Sequence, residues 1–196
     1  MDAAVNLRPD GSRWDQLSLV READNATREA IMHNGSAPAL RELCGWEYAG
    51  INTAWIAGLG GVRKFKKGFY EGPARGTGPE PFVQGYNVPV RQNGVGQPHV
   101  AKPSDEHPKR FGFYRVHAVS LGSRDAKYPA ALLLDYSRGG NFALDPANLL
   151  RDYLVQVYPD DPELLLGHAF GALLGLRIPI SFFVLRRMNQ HSFGGR

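Results

Sequence analysis

From Trp46 onward the chain is a succession of short aromatic and branched runs, each bounded by Gly, Pro, Asn or Asp, with no helical stretch between most of them. That pattern predicts strands at Trp46–Trp55, Arg63–Tyr70, Pro81–Val90, Lys109–Val119, Ala130–Tyr136, Arg151–Tyr158, Leu164–Phe170 and Ile178–Met188. Strands that follow one another without crossover helices favour antiparallel neighbours. About eight of them, closed on themselves, enclose room for one small ligand. The expected fold class is therefore mainly β: an antiparallel up-and-down barrel of about eight strands, with N-terminal helices. The 23 glycines and 14 prolines of the 196 residues agree with many turns and few long helices.

Local signals refine this picture. Arg151–Tyr158 and Leu164–Phe170 form the clearest hairpin, because Pro159-Asp160-Asp161-Pro162 presets a turn between apolar flanks. In its first strand Tyr153, Val155 and Val157 share one face, and Asp152 and Gln156 the other. The last strand is apolar on both faces and needs cover on both sides, as a barrel wall lying under helices has. Those helices are predicted over Ser12–His33, with Ser12 as cap and Trp14, Leu17, Val20, Ala23, Thr27 and Ile31 at helical spacing, and over Ser36–Gly45. Residues 1–45 thus read as a helical lead-in, 46–190 as the barrel domain and 191–196 as a tail. The Gly- and Pro-rich stretches Gly72–Pro81 and Gln92–Pro108 read as mobile loops able to cover an open barrel end.

Several functions find no support. No apolar run approaches the roughly 20 residues that cross a bilayer, and Met1–Val5 is unlike a secretion signal, so a cytoplasmic protein with no membrane span is expected. Cys44 is the single cysteine and reads as a small buried hydrophobe. The six histidines show no close metal-ligand spacing; no metal and no cofactor are expected. Gly58-Leu59-Gly60-Gly61 lacks the spacing of a nucleotide fingerprint and reads as a turn. Lys109–Val116 resembles the aromatic strand of RNA-recognition domains, but Arg110 stands where that motif has glycine and Val116 where it has an aromatic. A barrel strand accounts for it, and nucleic acid is not an expected partner.

The region richest in chemistry is Leu132-Leu133-Leu134-Asp135-Tyr136, turning through Gly139-Gly140-Asn141 and returning at Leu150-Arg151-Asp152-Tyr153. Charges near apolar walls need partners, and an Asp135–Arg151 pair closing the barrel is one explanation. The other is that Asp135 or Arg151 meets a ligand head group or a reacting proton. His117 and His168 lie in predicted strands, where each is either a hydrogen-bonded core residue or a polar group in the barrel.

Gly45-Trp46-Glu47-Tyr48-Ala49-Gly50, the strand ending Lys67-Gly68-Phe69-Tyr70, Leu134-Asp135-Tyr136, and Leu150–Val155 followed by Leu165-Leu166-Gly167 resemble the lipocalin-like (calycin) barrel proteins. The likeness is to the bacterial group named for a Gly-x-Trp-x-Gly motif, from which this chain departs because Gly50 lies four residues after Trp46. The resemblance implies a barrel holding a small hydrophobic molecule, no inherited catalytic set, and an early tryptophan closing one barrel end against a later arginine, with Trp46 and Arg151 as such a pair.

The expected function is binding of a small, largely apolar metabolite, a lipid or polyketide-like compound, inside the barrel, with Trp46, Tyr114, His117, Tyr136 and Tyr153 as ligand-binding residues. The alternative is a cofactor-free isomerase, cyclase or hydratase of such a metabolite, with Asp135 or His168 as acid or base and Arg151 stabilising developing negative charge. A barrel filled by its own side chains would instead indicate a partner-binding module.

Overall fold

The computed structural model describes residues 6–54, 61–72 and 82–195. Eight strands form one closed antiparallel barrel in which each strand pairs with its sequence neighbours and the last returns to the first. They are β1 (Trp46–Asn52), β2 (Lys64–Gly72), β3 (Phe82–Pro89), β4 (Phe111–Ala118), β5 (Leu132–Asp135), β6 (Leu150–Tyr158), β7 (Asp161–Leu173) and β8 (Leu176–Gln190). Each predicted strand has its counterpart. The hairpin is tighter than expected: Tyr158 pairs with Asp161, so Pro159 and Asp160 alone turn the chain and Pro162 sits at the start of β7, where proline is tolerated. β7 and β8 also run further, to a two-residue turn at Leu174 and Gly175 with φ of 49° and 83°.

The predicted Ser12–His33 helix is two helices, α1 (Gln16–Arg21) and α2 (Asn25–Asn34). Asp24 interrupts the period because its side chain accepts from the Thr27 backbone N–H at 2.7 Å and starts a new helix. Arg28 then donates to the carbonyls of Leu19 and Val20, so the freed C-terminal end of α1 is satisfied by α2. Asp15 caps α1, whereas the Ser12 hydroxyl bonds Asp10 instead. The second predicted helix is a single turn, α3 (Leu40–Leu43), because Ser36 bridges to Gln156.

Two apolar layers result. Outside the barrel, Trp14, Leu19, Val20, Ile31 and Met32 pack on Ile51, Tyr153, Val155, Leu166, Phe182 and Val184, which explains why β6 to β8 are apolar on both faces. Inside, Tyr48, Phe65, Phe69, Tyr114, Leu134, Leu154, Phe183 and Leu185 form a second cluster. Gly50, Gly85 and Gly167 face inward, and a Cβ at each would overlap the rings of Phe65, Tyr114 and Phe183 respectively; these glycines admit the aromatic filling. Gln92–Pro108 is no cover for the barrel end. Lys64 Nζ gathers the carbonyls of Gly94, Gln97 and Pro98, and Lys66 bonds Asp105 at 2.8 Å, clamping the loop to the outer wall of β2. The predicted loop beyond Gly72 and the Gly58-Leu59-Gly60 turn lie outside the described residues. Among the described residues no helix is long and apolar enough to cross a membrane.

Candidate functional site

Alternation along β2 sends Phe65, Lys67 and Phe69 inward while Lys64 and Lys66 face out to the loop. Register then fixes the company of Lys67. It pairs with Tyr48 of β1 and Asn87 of β3, and Asp152 enters the same interior from β6, between Leu150 and Leu154. Tyr136 comes from a 3₁₀ turn, Tyr136–Arg138, that Asp135 starts by accepting from the Ser137 backbone N–H at 3.0 Å. Asn141 holds this turn by donating to the carbonyls of Tyr136 and Phe113.

The four polar side chains form one cluster. Lys67 Nζ donates to Tyr136 Oη at 2.6 Å, Asp152 Oδ2 at 2.8 Å and Asn87 Oδ1 at 3.1 Å. Tyr136 Oη donates to Asp152 Oδ2 at 2.9 Å. The ammonium also lies 4.7 Å from the Tyr114 ring centroid and 5.3 Å from that of Phe183, where ring faces favour a cation. Lys67 and Asp152 side chains are only 2% and 5% exposed. Burial pulls the Lys67 ammonium below the usual lysine range, against the opposing pull of Asp152. Burial first, then the Asp152 charge, keeps Tyr136 a phenol well above the ordinary tyrosine range.

Above this cluster the described residues leave a cavity of about 190 Å³, bounded by Val62, Phe65, Phe111, Leu150, Ala169, Ile180 and Phe183, with Lys67, Asn87, Tyr136 and Asp152 as its main polar wall and Asn52 beside it. It opens at the end where β1, β3, β5 and β7 finish, and the opposite half is filled by the interior cluster. Of the lining side chains, Phe111 is also exposed to solvent, at 44%.

Of the sequence-predicted residues, Tyr114 and Tyr136 stand in this interior; Tyr114 donates to the Gly68 carbonyl at 3.1 Å and walls the cluster. The others are placed elsewhere. Asp135 and Arg151 pair on the outer face at 3.2 Å, register partners of adjacent strands, where Asp135 caps the Tyr136 turn. Tyr153 lies outward under Tyr128 and Phe170, and His117 faces out beside the Ala118 carbonyl. Trp46 stacks under Arg187 of β8 at 4.9 Å, so Arg187, not Arg151, is its arginine.

His168 is also outward, stacked on Phe182 at 3.8 Å between centroids, with Nδ1 2.7 Å from Tyr128 Oη. Tyr128 has one proton and Glu29 Oε2 lies 2.6 Å away; the carboxylate is the stronger acceptor, so Nδ1 donates to Tyr128 and Nε2 is bare. Burial lowers the His168 pKa to about 4. It borders a cleft of about 280 Å³ with Asn25, Thr53 and Ser181, which shares Ile180 with the barrel cavity.

Lys67, Asp152 and Asn87 escaped the sequence reading. A signal existed: Lys67 is flanked two residues away by Phe65 and Phe69, and Asp152 by Leu150 and Leu154, so opposite charges sit on otherwise apolar strand faces. The Tyr153–Val157 face of β6 is the more apolar of the two. In β6 both faces are buried, and alternation alone does not tell the interior from the face under the helices.

Among the described residues no group of three or more His, Cys, Asp or Glu side chains is arranged to hold a metal ion. The chain is a closed, eight-stranded antiparallel barrel with a half-open interior. No protein-family model, no curated protein and no solved structure matches it.

Proposed function

We propose that the protein binds a small, neutral, largely apolar molecule in the barrel mouth, with the ligand's polar group against Lys67, Asp152 and Tyr136. The observation that carries this is a cavity with mostly apolar walls and one convergent polar cluster, the composition of sites that orient a ligand by a few polar contacts. Its charges decide the ligand's charge. Lys67 and Asp152 cancel, and among the described residues no other charged side chain lines the cavity, so a carboxylate entering it would lose hydration without gaining a counter-ion. Size bounds the enclosed part: a dry cavity of about 150 Å³ holds benzene, so about 190 Å³ takes a group of one ring, and a longer tail leaves past the exposed Phe111 ring. Kinship with calycin barrels belongs to the same proposal, supported by the barrel's order and by the Trp46–Arg187 stack at its far end.

Turnover by acid–base chemistry in the same cavity is a second reading. One observation favours it: both hydrogen bonds on Asp152 fall on Oδ2, and no described donor pairs with Oδ1. The test of binding is native mass spectrometry of protein purified from its own host, with extraction of released small molecules, and titration with a neutral ring compound and a fatty acid. A bound neutral apolar molecule, or preference for the neutral probe, is expected; an empty protein that binds neither probe contradicts the proposal.

A further inference from the structure

The Lys67 cluster has more chemistry than orientation requires. A purely structural ion pair is best surrounded by side chains, since burying two charges costs several kcal/mol and apolar replacements are often as stable. Here the pair is buried on one side and forms the wall of an open cavity on the other. Lysine is the charged side chain that changes protonation readily when desolvated, and a desolvated lysine beside a proton acceptor is an amine nucleophile toward carbonyl groups. The acceptor, Asp152, lies 2.8 Å from Nζ, and a phenol that stays protonated, Tyr136, bridges both.

Resting on the binding reading above, we infer that the cavity's ligand is an aldehyde or ketone, captured as an imine on Lys67 with Asp152 and Tyr136 moving the protons. The ammonium passes one proton to Asp152, and the freed nitrogen lone pair attacks the carbonyl carbon. The nitrogen, positively charged after the attack, gives a proton through Tyr136 to the carbonyl oxygen, leaving a neutral carbinolamine and a still-protonated Asp152. Nitrogen then expels that oxygen as water as Asp152 supplies the second proton, and a carbon–nitrogen double bond forms. Of the three ammonium protons two leave in water and one stays on the iminium, again paired with the Asp152 carboxylate. No oxidant, reductant or co-reactant is needed. The geometry suits a neutral carbonyl head: Asn87 and Tyr136 border its oxygen, and the Phe65, Phe183 and Ile180 walls take its apolar body.

The test is incubation of the whole chain with benzaldehyde and 4-methylbenzaldehyde at low concentration, with sodium cyanoborohydride to reduce any imine to a stable amine, followed by intact mass and peptide mapping. A single adduct at Lys67, ahead of Lys64, Lys66, Lys102, Lys109 and Lys127, is expected. It should saturate with aldehyde, be blocked by the matching neutral alcohol, form at least tenfold more slowly in Asp152→Asn, and be absent from Lys67→Met/Asp152→Leu, whose apolar pair preserves packing. Labelling confined to the exposed lysines overturns the inference. If the same aldehydes bind, seen by chemical-shift changes at the cavity, yet Lys67 is unlabelled, the imine falls and the binding reading stands. Neither binding nor labelling removes both.

Discussion

Breaking the interior ion pair from one side leaves a buried charge without its partner. Asp152→Asn or Lys67→Met alone should therefore cost about 3–5 kcal/mol, whereas Lys67→Met/Asp152→Leu should fold with near-native stability. Denaturant unfolding of the three variants checks this, and a double variant as weak as the singles would show that the pair holds the barrel together. Leu174 is a second informative residue. It stands at the β7–β8 turn with φ of 49° and is 94% exposed, a left-handed conformation that costs a non-glycine residue roughly 1–2 kcal/mol. Leu174→Gly should raise stability by about 1 kcal/mol in the same experiment. Little of this was legible beforehand. A lysine in a basic run such as Arg63–Lys67 looks solvated until the strand's direction is known, and only register separates inward Lys67 from Lys64 and Lys66, which clamp a loop outside.

Strands were easier to read than helices. Turn residues bracket each aromatic run, and antiparallel neighbours need no long-range information beyond order, so all eight positions follow from the sequence. The N-terminal helix period runs through Asp24 without visible interruption, yet Asp24 serves as a cap and divides the segment. That assignment has a direct test: Asp24→Ala should destabilise by about 1 kcal/mol, as lost N-caps do, and a neutral result would favour one continuous helix. The Gly and Pro content of Gln92–Pro108 marks a loop but says nothing of what holds it. Four contacts from one lysine amine, to Asn93, Gly94, Gln97 and Pro98, do so.

The assembled molecule has two environments: a half-open interior built around Lys67 and Asp152, and an apolar outer layer under α1 and α2 beside which His168 is buried at the edge of a cleft. The outer layer makes folding pH-dependent. His168 has its pKa lowered from 6.5 to about 4, so between those values the unfolded chain binds a proton that the folded one refuses. Stability from this residue is full above pH 6.5 and falls as pH drops towards 4. His168→Phe, which retains stacking on Phe182, should flatten part of that slope in unfolding curves at pH 7 and pH 4.5. The proposed binding function rests on the interior being half-open among the described residues. Methyl-resolved NMR during titration with a neutral ring compound, comparing the native chain with Ala169→Trp to fill the mouth, tests this most directly. Saturable shifts at Val62 and Leu150, lost in Ala169→Trp, are expected; unchanged cavity methyls, or shifts confined to the outer cleft beside His168, would contradict a ligand site in the barrel.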